Sequence, residues 1–128
     1  MGTGTQGLYA VSRLLREFQR ISPTITIQTA EAFVLVALHE GLTVGQLGER
    51  LGVSISGASH ATAMLTRHGR RGKPGLGLVE ARDDPHDRRI RGLYLTAKGK
   101  MHKQALTAAD DGRLFGYDAA KFLAKQYK

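Results

Sequence analysis

LTVGQLGERLGVSISGASHATAMLTRHG, Leu42–Gly69, is the stretch that decides the fold. Thr43 and Gln46 stand at capping-box spacing, so the threonine hydroxyl can accept the Gln46 N–H while the glutamine side chain accepts the Thr43 N–H. Leu47 and Leu51 are one turn apart on the helix that this cap starts, and Gly52-Val53 turns the chain out of it. Ser54 is a second N-cap, and the helix behind it carries Ala58, Ala61, Thr62 and Leu65 along one side. Two short helices joined by a tight glycine-containing turn are the helix-turn-helix pattern.

Toward the C-terminus, RRGKPGLG (residues 70–77) is basic and glycine-rich, and Pro74 forbids a continuing helix, so a loop is expected. LVEAR (78–82) and IRGLYL (90–95) alternate, and DDPHD (83–87) between them has Asp and Pro where turns favour them, which predicts a hairpin. Thr96 is expected to cap a helix through KGKMHKQALTAADDG, and a last helix is expected from about Asp118 with Ala119, Phe122, Leu123 and Tyr127 on one side.

Toward the N-terminus, LYAVSRLLREFQRI predicts an amphipathic helix with Leu8, Val11, Leu15 and Phe18 on one face, ended by Ser22-Pro23. TAEAFVLVALHEG follows, with Thr26 as candidate cap, Ala30, Phe33, Val34, Ala37 and Leu38 at helical spacing, and Gly41 as the stop.

The expected class is therefore mainly α with a small β-hairpin: a winged helix-turn-helix, in which the second helix enters the major groove and the hairpin reaches phosphates or the adjacent minor groove. We expect one domain over residues 1–128, with a DNA-binding core at about 26–99 and terminal helices at about 5–21 and 100–128 that carry Phe18, Phe115, Phe122, Leu123 and Tyr127 outside that core and pair two chains as a homodimer.

Composition supports a polyanionic partner. The 128 residues carry a formal charge of +8, enough to attract nucleic acid over about a Debye length. The positive residues cluster: Arg67, Arg70, Arg71, Lys73, Arg82, Arg88, Arg89 and Arg91 fall in one stretch, partly offset by Glu80, Asp83, Asp84 and Asp87. Cysteine is absent, which removes disulfides, thiolate zinc sites and thiol redox sensing. The longest apolar run, Phe33–Leu38, is far below a membrane span, and MGTGTQG lacks the features of a secretory signal, so a soluble, cytoplasmic protein is expected.

Chemistry of other kinds finds little support. Asp83, Asp84, His86 and Asp87 could be read as a hard metal site, which would make a metal-dependent phosphoesterase. They share one short turn with Arg82, Arg88 and Arg89, however, and no second ligand set stands at useful spacing. The histidines are scattered, no glycine-rich phosphate loop has its strand-to-helix setting, and no nucleophile has a plausible base. No catalytic residue, metal or cofactor is expected, and the remaining alternative is a non-specific architectural or replication-associated phage or plasmid DNA-binding protein.

Five ordered pieces carry a family resemblance. The helix-turn-helix, Leu65–Gly69 at the end of its second helix, Gly77-Leu78-Val79, Asp84–Arg89, and Leu95–Gly99 together resemble the DNA-binding core of the MarR (multiple antibiotic resistance regulator) family. The resemblance implies a dimeric repressor on a pseudo-palindromic operator. It further implies that Arg89 is the wing arginine entering the minor groove and that Asp87 is its ionic brace, which suits the enhanced negative potential of a narrow A·T groove. The residues expected to face DNA are Ser54, Ser56, Gly57, Ser59, His60, Ala63 and Arg67 on the recognition helix, Arg70, Arg71 and Lys73 in the insertion as phosphate contacts, and Arg88 with Arg89 at the wing tip.

Two departures stand out. His60 occupies a position that is often Arg in the family, and the recognition face lacks the Arg, Asn and Gln suited to bidentate base contacts. The insertion RRGKPGLG lengthens the path from recognition helix to wing and resembles phage- or prophage-encoded members. The short flanks leave less chain for the ligand cleft that many members build, so a small-molecule effector is an open expectation.

Overall fold

The Thr43 cap forms as the sequence predicts. Its hydroxyl accepts the Gln46 N–H at 3.1 Å and the Gln46 side chain accepts the Thr43 N–H at 2.9 Å, opening a helix whose bounds and partners come from a computed structural model that describes residues 3–110. In chain order the elements are α1 (Thr3–Ile21), α2 (Ile27–Leu38), α3 (Val44–Leu51), α4 (Ile55–Leu65), β1 (Val79–Asp83), β2 (Arg91–Leu95) and α5 (Ala97–Asp110). The helix expected from about Asp118, with Ala119, Phe122, Leu123 and Tyr127, lies outside the described residues, as does Phe115.

Residues Thr24–Lys103 form one compact unit, and the described parts of the terminal segments, Thr3–Pro23 and Gln104–Asp110, belong to a second. In the larger unit α2, α3 and α4 pack on one another, with α2 also meeting β2 and α4 meeting β1. Phe33, Val36, Leu47, Ala58, Ala61, Leu65, Leu78, Val79, Leu93 and Leu95 make the core, each at most 2% exposed. Burial of a side chain such as Leu65 or Phe33 contributes about 1.5–3 kcal/mol.

The predicted buried side of α4, Ala58, Ala61, Thr62 and Leu65, faces this core. On α2 the buried set is Thr29, Ala30, Ala32, Phe33 and Val36, whereas Val34 and Ala37 are half-buried and Leu38 is exposed. This corrects the expected stripe. The run from Ala32 to Leu38 is apolar throughout, so its periodicity selects no face, and packing against α3, α4 and β2 makes the choice.

Gly52 takes a left-handed conformation (φ 72°) at the end of α3. That residue turns the chain toward Ser54, whose hydroxyl accepts the Gly57 N–H at 3.1 Å and starts α4. β1 and β2 pair antiparallel from Val79 opposite Leu95 to Asp83 opposite Arg91. Their connection is shifted by one residue from the strands expected, since Asp83 joins β1 and Ile90 stays outside β2: the Asp84 N–H donates to the Ile90 carbonyl at 2.8 Å and closes the loop.

The other edge of β2 is also occupied. The Gly41 N–H donates to the Leu93 carbonyl (2.7 Å), the Leu93 N–H to the Leu42 carbonyl (2.8 Å), and the Leu95 N–H to the Glu40 carboxylate (2.8 Å). These bonds fasten the hairpin to the loop that leads into α3. Thr96 caps α5 as predicted, accepting the Gly99 N–H at 3.0 Å while its hydroxyl donates to the Gly77 carbonyl at 2.6 Å.

In the second unit, Ala10 and Phe18 of α1 are buried, and the Arg13 Nε donates to the Ala109 carbonyl at 2.9 Å. The rest of the expected apolar face is uncovered. Leu8 is 71% exposed and Leu15 48%, with Val11 between them and Tyr9 beside them also exposed. No helix among the described residues is long and apolar enough to cross a membrane.

Candidate nucleic-acid interface

With Ala58, Ala61, Thr62 and Leu65 committed to the core, the opposite side of α4 is fixed by helical geometry. Ser56, Ser59, His60 and Arg67 are exposed, Gly57 and Ala63 half-buried, and the cap Ser54 exposed. Ser56, Gly57, Ser59, His60 and Ala63 line one shallow groove, and Arg70 closes its side. The structure therefore brings most of the expected helix residues together with one residue of the insertion.

Ile55, at the first position of α4 and 67% exposed, belongs to the same surface one turn before Ser59. Sequence reasoning passed over it. The available signal was an isoleucine off the buried stripe, beside a cap where a polar residue would cost nothing.

The insertion is built rather than slack. The N–H groups of Gly75, Leu76, Gly77 and Leu78 donate to the carbonyls of Arg67, Met64, Thr66 and Leu65 at 3.2, 3.0, 3.3 and 2.8 Å. These carbonyls belong to the end of α4 and the residues after it, where a helix leaves acceptors unsatisfied. Gly75 is required for so close an approach, since a Cβ there would overlap the Thr66 carbonyl. Between Gly69 and Pro74 the chain makes a tight turn in which Lys73 donates its N–H to the Arg70 carbonyl at 2.9 Å, with Arg71 and Gly72 at positive φ. The Arg70 guanidinium thereby reaches the Nδ1 of His60 on α4. Arg71 and Lys73 stand exposed at the same turn.

At the hairpin tip the carboxylates divide their work. Asp84 accepts the N–H groups of His86 and Asp87 at 2.7 and 3.1 Å, which shapes the loop. Asp87 grips Arg89 three times: its Oδ1 accepts the Arg89 backbone N–H and Nε, both at 3.0 Å, and its Oδ2 accepts Nη2 at 3.1 Å. The side-chain bonds from Arg89, followed by its backbone N–H, hold the Asp87 carboxyl below the usual carboxylate range, and the same pairing raises the Arg89 guanidinium further. The Arg89 side chain nonetheless remains 90% exposed. Arg88 is exposed beside it.

The hairpin stem is braced by charged residues of the same basic stretch and by Tyr94. Arg82 lies over the Tyr94 ring, 4.5 Å from its centroid, and pairs with Glu80 at 2.8 Å, while Arg91 pairs with Asp83 at 3.3 Å. The contacts of Arg82 with Tyr94 and of Arg91 with Asp83 cross between the strands and depend on their register, which spacing alone does not show. Among the described residues no three His, Cys, Asp or Glu side chains come together as metal ligands. At the tip, Asp84 is engaged by the turn and Asp87 by Arg89.

No family model matches the sequence, and no curated protein does. Solved structures do match. The chain is similar to the MepR–DNA complex of S. aureus (19% identity over 90% of this chain and 86% of that one, TM-score 0.63) and to RV1404 from Mycobacterium tuberculosis (19%, 90% and 69%, 0.64). It is also similar to a MarR-like transcriptional regulator from Thermotoga maritima (21%, 94% and 90%, 0.61). The fold is a MarR-like winged helix.

Proposed function

We propose that this protein is a DNA-binding transcriptional regulator rather than an enzyme, that it acts as a repressor, and that it binds a pseudo-palindromic operator as a dimer. One observation carries the reading: a single unit presents the outward side of α4 and an arginine braced at the tip of the β1–β2 hairpin, on a fold that another protein shows in complex with DNA.

In this reading α4 lies in the major groove. Ser59 and His60 meet base edges, Gly57 allows close approach, and Ile55 offers an apolar contact for a thymine methyl. Arg89, exposed yet oriented by Asp87, enters the minor groove beside it. Arg67, Arg71, Lys73 and Arg88 meet phosphates. The uncovered stripe of Leu8, Val11 and Leu15 on α1 supports a second copy as the dimer partner.

The test compares wild type with Arg89→Ala for duplex affinity and thermal midpoint. Affinity should fall about tenfold with the midpoint unchanged, since the side chain is exposed. Unchanged affinity would remove the wing from the interface and with it this reading.

A further inference from the structure

Arg70 reaches His60 from outside the recognition helix. It does so because the four backbone bonds from Gly75–Leu78 hold the insertion against the end of α4, and because the turn at Arg71-Gly72 sends the preceding residue back along that helix. The contact joins the guanidinium to Nδ1 of the imidazole. A guanidinium has donors only and keeps its proton under any working condition. Nδ1 must then be the bare acceptor nitrogen, and the single proton of the neutral ring sits on Nε2.

An exposed imidazole without such a partner exchanges tautomers and can present either a donor or an acceptor. We propose that Arg70 is a positioning residue for base recognition: by occupying Nδ1 of His60 it leaves His60 a donor at Nε2, and so sets which base the recognition helix accepts. A donor there fits N7 or O6 of guanine, N7 of adenine or O4 of thymine, and meets nothing favourable in the N4 amino group of cytosine. The inference rests on the DNA-binding reading above. It also gives a face that lacks Arg, Asn and Gln one defined polar reader, held by a residue outside the helix-turn-helix.

Two measurements on the full chain test it, both at pH 8, where an ordinary imidazole is neutral. Long-range 1H–15N spectra of the free protein should show the His60 ring as the Nε2–H tautomer in wild type and as a mixture in Arg70→Ala. Binding to duplexes that vary one base pair at a time through the bound site should show cytosine disfavoured at one position in each half-site by about fivefold, the worth of one hydrogen bond. Arg70→Ala and His60→Ala should each reduce that preference below about twofold at the same position, and the double variant should lose no more.

A mixed tautomer in wild type, or an Arg70→Ala protein that binds more weakly on every duplex but keeps the cytosine discrimination, would overturn the inference and leave Arg70 a phosphate contact; the regulator reading would stand. A wild type with no base preference anywhere would contradict that reading, and this one with it.

Discussion

Gly75→Ala is the substitution that most sharply separates a built insertion from a slack connector. The new methyl would overlap the Thr66 carbonyl and crowd that of Ala63 at 3.0 Å. Backbone cannot yield as the end of a long side chain can, so the segment must move away from α4. Of the four bonds at 2.8–3.3 Å that tie Gly75–Leu78 to the end of that helix, the two flanking the clash, from Gly75 and Leu76, should break. At about 1 kcal/mol net for each bond the loss is about 2 kcal/mol, or a fall of about 8 °C in midpoint for a domain of this size. Thermal melts give the magnitude, and amide exchange at Leu76 and Leu78 gives the place. Gly72→Ala serves as the control: φ is 76° but no atom lies within 4 Å of the added methyl, so it should cost about 1 kcal/mol and leave the Leu76 and Leu78 amides protected. A Gly75→Ala protein that melts within about 1 °C of wild type, with both amides still slow, would refute the reasoning.

Replacing Arg71 and Lys73 by Gln should weaken specific and random duplexes alike and flatten the plot of log K against log salt by about 0.9 per lost contact, about 1.8 per protomer; an unaltered slope would make the turn a spacer. Asp87 should titrate below the usual carboxylate range and return toward it in Arg89→Ala, as read by carboxyl NMR; because its folded value is lowered, the brace is present above the unfolded value and is lost as pH falls through the folded one. An Asp87 that titrates identically in both proteins would contradict the bidentate pairing. Light scattering at micromolar concentration should give a dimer for wild type and a monomer for Leu8→Glu/Leu15→Glu, whereas a wild type that stays monomeric even on DNA would remove the second copy.

Much of the larger unit was legible because its signals are local. Thr43 with Gln46, Ser54 and Thr96 announce helix starts through bonds that span three residues, and the spacing of Ala58, Ala61, Thr62 and Leu65 assigns the two sides of α4. What spacing could not give depends on residues far apart in sequence. The buried side of α2 follows from its neighbours. The second edge of β2 is filled by Gly41 and Leu42, more than fifty residues away. The glycines of RRGKPGLG read equally well as flexibility, yet Gly75 is small so that backbone can lie against backbone. For the same reason Arg70 appeared as one more phosphate contact: its meeting with His60 exists only once the insertion has folded back.

Selection of wild-type-bound fragments from random duplex DNA tests the central claim most directly, because it reports specificity and symmetry together. The account predicts an enriched site with two inverted half-sites about one helical turn, roughly 34 Å, apart, bound at least about a thousandfold more tightly than random sequence at the same salt. A pool that stays random in sequence while binding with a steep salt dependence would contradict it, and would make the protein a charge-driven architectural DNA binder with no operator to occupy.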